Sequence, residues 1–138
     1  MLFRSLLTQM TALEFPDVGL NSTIPSEIGL LTKLVYLEFL ENALTSSIPS
    51  EIGLLTQLVY LDFSDNDLTS TIPNEIDLLT QLTVLGFNAN ALKGTIPSSL
   101  CSLPLLNSLI FIDCGEITCA SGCCSSGSSS STDTISCG

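Results

Sequence analysis

Residues 31–54 read LTKLVYLEFLENALTSSIPSEIGL, and residues 55–78 read LTQLVYLDFSDNDLTSTIPNEIDL; sixteen of the 24 positions are identical. An Ile-Pro pair recurs at the same spacing, at Ile24-Pro25, Ile48-Pro49, Ile72-Pro73 and Ile96-Pro97. A fixed period of this length is the signature of a solenoid. One such unit cannot bury its own apolar face, so neighbouring units must stack to make a continuous core. The unit reads LxxLxxLxFxxNxLxxxIPxxIxx and spans roughly 7–30, 31–54, 55–78 and 79–102, with a fifth beginning at Leu103.

Each unit carries its own structural instructions. The pairs Leu13/Phe15, Leu37/Phe39, Leu61/Phe63, Leu85/Phe87 and Leu109/Phe111 alternate with period two, which predicts a short strand with both side chains inward. Successive strands then pair in parallel about 4.8 Å apart, and the five Phe rings form one file along the axis. Asn42, Asn66 and Asn90 form a column where the strand turns. A side-chain amide both donates and accepts, so it can satisfy backbone groups freed by a tight turn. Val18 and Cys114 replace it in the end units, where a stack is expected to be atypical. Pro ends each extended segment. The Ser-Glu-Ile or Asn-Glu-Ile that follows suits the start of a single helical or 3₁₀ turn on the outer side.

Composition excludes several partners. The chain has 14 acidic residues against Arg4, Lys33 and Lys93, a net charge of −11, and no His. Nucleic-acid binding needs clustered Lys and Arg, and none is present. Although 45% of residues are apolar, no run of about 18 or more exists to insert in a membrane. All six cysteines, Cys101, Cys114, Cys119, Cys123, Cys124 and Cys137, lie in the last 38 residues. An even count confined to one end reads as a disulfide-stapled cap in an oxidising compartment. A metal site is the weaker reading, because no His and no matched CxxC pair occurs; no cofactor is implied. The organisation expected is a solenoid over 1–114, a Cys-rich cap over 115–124 and a Ser/Gly-rich flexible tail over 125–138. Residues 5–10 align with 29–34, so the chain begins inside a repeat, as a fragment lacking a secretion signal would. Asn21-Ser22-Thr23 is a glycosylation sequon, consistent with secretion.

The repeated unit resembles the plant-type leucine-rich repeat, LxxLxxLxLxxNxLxGxIPxxLxxLxx, over roughly residues 5–114. Phe stands for the second strand Leu, and Ser22, Ser46 and Ser70 stand for the usual Gly, which returns at Gly94. The close, IPSSLCSLPLLNSLIFIDCGEITCASGCC, resembles the Cys-rich ends of leucine-rich repeat proteins in diatoms and related algae. The resemblance implies an α/β repeat solenoid, a right-handed superhelix. Its parallel sheet lies on the concave face and short helical turns on the convex face. It also implies extracellular placement, as in receptor-like kinase ectodomains and polygalacturonase-inhibiting proteins. The concave face then recognises a protein, peptide or glycan.

On that face the positions flanking the inward Leu and Phe are acidic in the first three units. They are Glu14, Glu38 and Asp62 in one column and Asp17, Glu41 and Asp65 in another, with Tyr36 and Tyr60 beside them. In the fourth and fifth units the corresponding residues include Val84, Gly86, Ile110 and Ile112. Like charges on neighbouring strands are destabilising. A basic peptide or protein anchored on the tyrosines fits these columns, as do calcium and plain solvation, and the residues leave the three open. No catalytic constellation is present, and a regular exposed strand face offers no pocket for an acid with a raised pKa. The function expected is a non-catalytic recognition module, with a secreted enzyme inhibitor using the same face as the alternative. A different class, ice binding, is raised by the hydroxyl columns Thr23, Ser47, Thr71 and Thr95 with Ser22, Ser46 and Ser70.

Overall fold

The computed structural model describes residues 7–96, 99, 100, 103, 109–111 and 117–119. The chain runs β1 (Ala12–Glu14), a 3₁₀ turn (Ser26–Leu30), β2 (Tyr36–Glu38), β3 (Thr45–Ser46) and a 3₁₀ turn (Ser50–Leu54). It continues with β4 (Tyr60–Asp62), β5 (Asp67–Ser70), a 3₁₀ turn (Asn74–Leu78), β6 (Val84–Gly86), β7 (Ala91–Leu92), β8 (Gly94–Ile96), β9 (Leu109–Phe111) and β10 (Ile117–Cys119). The first strand of each coil joins a five-stranded sheet of order β1-β2-β4-β6-β9. Every pairing in it is parallel. Equal coil length sets the register: Leu13, Leu37, Leu61 and Leu85 are Cα partners in turn.

Apolar columns fill the interior. Leu37, Leu61 and Leu85 are fully buried, as are Leu34, Leu58 and Leu82 three residues before them. Phe39, Phe63 and Phe87 are buried with them, and their rings run in file behind Phe15 at 6.2, 5.6 and 6.1 Å. Phe15, in the first described coil, is 43% exposed. The expected file of five does not continue in register. β9 pairs Val84 with Leu109, Leu85 with Ile110 and Gly86 with Phe111, one residue out of the 24-residue period. The coil that ends at β9 is one residue longer than the others, so Leu109 and Phe111 do not occupy the Leu and Phe positions of the sheet. β10 pairs with β8, and Ile117 is buried in the core, so the packing continues past residue 114.

The convex turns start differently from the expected pattern. Pro25, Pro49 and Pro73 are the N-cap residues, in extended conformation, and no side chain caps the turns. Ser26 and Ser50 instead donate to their neighbours Glu27 and Glu51 at 3.4 Å. A fixed proline φ supplies the entry geometry that a capping side chain would otherwise stabilise. Adjacent turns pack closely here. A Cβ placed on Gly53 would sit 2.6 Å from the Glu75 carbonyl oxygen of the next coil, which only glycine permits.

A second sheet, β3-β5-β7, forms one side wall. Its register is slanted: Thr45 pairs with Asp67 and Ser46 with Leu68, rather than like with like. Ser46 and Ser70 hold φ of 72° and 75°, and Gly94, at the same repeat position, holds 97°. A side chain in the left-handed region costs roughly 1–2 kcal/mol, of which glycine's extra unfolded-state entropy returns about 0.5–1. Ser70→Gly is therefore expected to stabilise the fold by about 0.5–1 kcal/mol, read as a higher midpoint in urea unfolding with an unchanged slope. Among the described residues no helix is long and apolar enough to cross a membrane.

Candidate functional site

The concave face is held in shape by the asparagine column beneath its edge. Asn66 donates through Nδ2 to the carbonyls of Phe39 (2.8 Å), Phe63 (3.1 Å) and Ser64 (3.1 Å), and its Oδ1 accepts from the Leu44 N–H at 3.0 Å. Asn42 repeats this between Phe15, Phe39, Leu40 and Leu20, and Asn90 between Phe63, Phe87, Asn88 and Leu68. Each amide thus ties two coils together and absorbs backbone groups that a sharp turn leaves without a ladder partner.

The turn has a consequence that the residue pattern does not show. Asp17, Glu41, Asp65 and Ala89, one residue ahead of the asparagine position, all have positive φ between 48° and 55°. Asp17, Glu41 and Asp65 therefore stand at the corner where the strand leaves the sheet, and all three are exposed. They are not in the same row as Glu14, Glu38 and Asp62, which are Cα partners within the sheet.

Inside the sheet, Tyr36 and Tyr60 are partners, and their rings stack face to face at 4.1 Å and 5°. Burial raises the Tyr60 phenol strongly, with its hydrogen bond to Tyr36 and the charge of Asp62 adding to the effect. Burial also raises Tyr36, partly offset by that shared hydrogen bond. Both phenols stay neutral at physiological pH.

The three in-sheet acids are not equivalent. Glu14 is exposed and Glu38 half-buried, whereas Asp62 is only 8% exposed. Asp62 Oδ1 accepts from the Ser64 N–H at 2.9 Å, and Oδ2 accepts from the Tyr60 hydroxyl at 3.3 Å. The reason lies one coil on. Gly86 has no side chain, and the Asp62 carboxylate lies over it, where any Cβ would collide with it. The Ser64 hydroxyl continues the network by donating to Asn88 Oδ1 at 2.7 Å. The sequence pattern places Glu14, Glu38 and Asp62 alike; only the neighbour in the next coil separates Asp62 from the other two.

Burial, then the negative charges of Asp62 and Glu14, hold the Glu38 carboxyl above its ordinary value of 4.5. A raised carboxyl pKa means that the fold prefers the protonated form. Its stabilising contribution is complete below the unfolded pKa and is lost as pH rises through the folded one. Glu38→Gln is accordingly expected to raise the melting temperature at pH 7 by about 1–3 °C and to leave it unchanged at pH 3.5, measured by circular dichroism against wild type at each pH.

The remaining sequence-predicted sites lie elsewhere. Asn21 is exposed on the side wall, next to Ser22 and Thr23. Of the cysteines, Cys119 falls in β10; Cys101, Cys114, Cys123, Cys124 and Cys137, and with them the disulfide cap and the 125–138 tail, lie outside the described residues. The pattern also gives no warning of Leu30, Leu54 and Leu78, which recur on the convex face and are each more than half exposed.

The coils, their parallel sheet and the asparagine column define a leucine-rich repeat protein of the plant type, and the family described as Leucine Rich Repeat matches residues 57–79. Among solved structures, a TDR receptor is 32% identical with a TM-score of 0.77, over 85% of this chain and 20% of that one. The ectodomain of the Arabidopsis thaliana membrane receptor kinase GASSHO1/SCHENGEN3, in complex with CASPARIAN STRIP INTEGRITY FACTOR 2, is 30% identical with a TM-score of 0.71, over 81% of this chain and 13% of that one. A plant ice-binding protein is 29% identical with a TM-score of 0.69, over 80% of this chain and 35% of that one. This chain therefore spans a fifth or less of the two receptors and about a third of the ice-binding protein. No curated protein sequence matches at comparable significance.

Proposed function

We propose that this protein is an extracellular, non-catalytic recognition module that binds a protein or peptide, basic in character, across its concave face. The observation that carries this reading is the pairing of a rigid two-tyrosine platform with carboxylates that remain accessible beside it: Glu14 and Glu38 in the sheet, and Asp17, Glu41 and Asp65 at its corner. Aromatic anchors supply contact area at low entropic cost, and the surrounding charge selects the partner and steers its approach. Similarity to a receptor ectodomain solved in complex with CASPARIAN STRIP INTEGRITY FACTOR 2 supports the recognition reading. A secreted inhibitor of an enzyme would use it in the same way. Asp62, turned onto Gly86, serves the platform rather than the ligand.

Selection from a random displayed-peptide library tests the proposal. Sequences enriched in Lys and Arg, whose capture weakens with salt and is lost in Glu38→Lys/Glu41→Lys, are the expected result. Failure to enrich any sequence, or enrichment indifferent to those substitutions, would overturn it.

Ice binding is the second reading, favoured by the plant ice-binding neighbour and by the exposed Thr23, Ser47, Thr71 and Thr95. The slanted register works against a regular hydroxyl lattice, since Asp67 and Leu68 stand opposite Thr45 and Ser46. Thermal hysteresis that disappears in Thr71→Val would establish it.

A further inference from the structure

Among the described residues, the aromatic file on the concave face stops at Tyr36. One side of its ring is covered by Tyr60, and the next position in register, toward the first described coil, is Ala12. Paired strands lie about 4.8 Å apart, so a methyl group in place of a ring leaves space for one planar group against the free face of Tyr36. Two carboxylates border that space. Glu14 and Glu38 follow Ala12 and Tyr36 by two residues, which puts them on the same face of the sheet. Asp62 is next in the row, but its oxygens are engaged by Ser64 and Tyr60. The charges that act on Glu38, those of Asp62 and Glu14, are both negative, and a cation seated between Glu14 and Glu38 would relieve their repulsion.

Two kinds of side chain could bring that cation. An ammonium is compact and strongly hydrated, and has no face to stack. A guanidinium is planar, stacks on aromatic rings, and presents a fork of donors matched to carboxylates. We propose that this niche takes an arginine of the protein or peptide partner, its guanidinium lying on the free face of Tyr36 above Ala12 and its N–H groups shared between Glu14 and Glu38. The proposal rests on the recognition reading above and names the side chain that the partner must supply.

The protein reports on this site without a label, because Tyr36 and Tyr60 are its only tyrosines and it has no tryptophan. The probes are blocked tripeptides, acetyl-Gly-X-Gly-amide, with X arginine, lysine or citrulline, titrated against tyrosine fluorescence in low salt. The arginine peptide is expected to bind about three- to fivefold more tightly than the lysine peptide, and the neutral citrulline peptide to give no saturable change. Ala12→Phe, at an exposed position, is expected to erase the arginine advantage while the circular dichroism spectrum is unchanged. Glu38→Gln should weaken arginine and lysine peptides together. Equal affinity for arginine and lysine, or no effect of Ala12→Phe, would overturn the arginine niche and leave the recognition reading standing. A niche that accepts the probe only after Arg4→Gln would show that the chain's own arginine fills it, which also overturns the proposal. An absence of library binders, the separate test above, would remove the recognition reading itself.

Discussion

Phe63→Ala should lower the unfolding free energy by about 3–5 kcal/mol, a large fraction of the roughly 5–15 kcal/mol that holds a native domain together. Phe63 is fully buried, and its ring lies between Phe39 at 5.6 Å and Phe87 at 6.1 Å. Removing it opens a cavity in the middle of the file, and the regular sheet on one side and the asparagine column on the other leave little freedom to collapse. The same substitution at Phe15, 43% exposed in the first described coil, should cost less than about 1.5 kcal/mol, because only the half that touches Phe39 is lost. Guanidinium unfolding of the two variants checks this directly. Equal losses would mean that the rings do not form a continuous core.

Asn66→Ala is the second large effect. Removing the amide strands the Leu44 N–H and removes a donor from the carbonyls of Phe39, Phe63 and Ser64. Orphaned buried polar groups cost roughly 1–3 kcal/mol each. Partial relaxation and water entry reduce that sum, so a loss of about 3 kcal/mol is expected. Amide exchange gives a local readout: the Leu44 N–H should exchange at least about 100-fold faster. Val18 marks where this logic ends. It stands at the asparagine position of the first described coil, is 55% exposed, and its own N–H reaches across to Asn42 at 3.3 Å.

These two residues also show how much was legible beforehand. The period of 24 and the alternation of Leu and Phe specify the parallel sheet and its core, because equal coil length makes register automatic from Leu13 to Leu85. The slip at Ile110 was hidden, because LxF at Leu109 and Phe111 looks like another repeat while the coil leading to it accommodates one residue more. The site was half legible. Tyr36 and Tyr60 follow from the period alone. The burial of Asp62 does not, because it depends on a glycine 24 residues later that leaves room for its carboxylate. Asp17, Glu41 and Asp65 look like a second strand column, yet the turn bends the backbone into the left-handed region just there. Residue type warns of it only in part, since Asp visits that conformation more readily than most side chains and neither Glu nor Ala favours it.

Coils of equal length bring Tyr36 and Tyr60 together on an acidic wall. Nuclear Overhauser spectroscopy of the ring protons measures this most directly. Strong cross-peaks between the two rings, with both sets of resonances shifting when the arginine tripeptide is added, are the predicted result. Two ring systems with no cross-peak between them, in a folded protein, would contradict it.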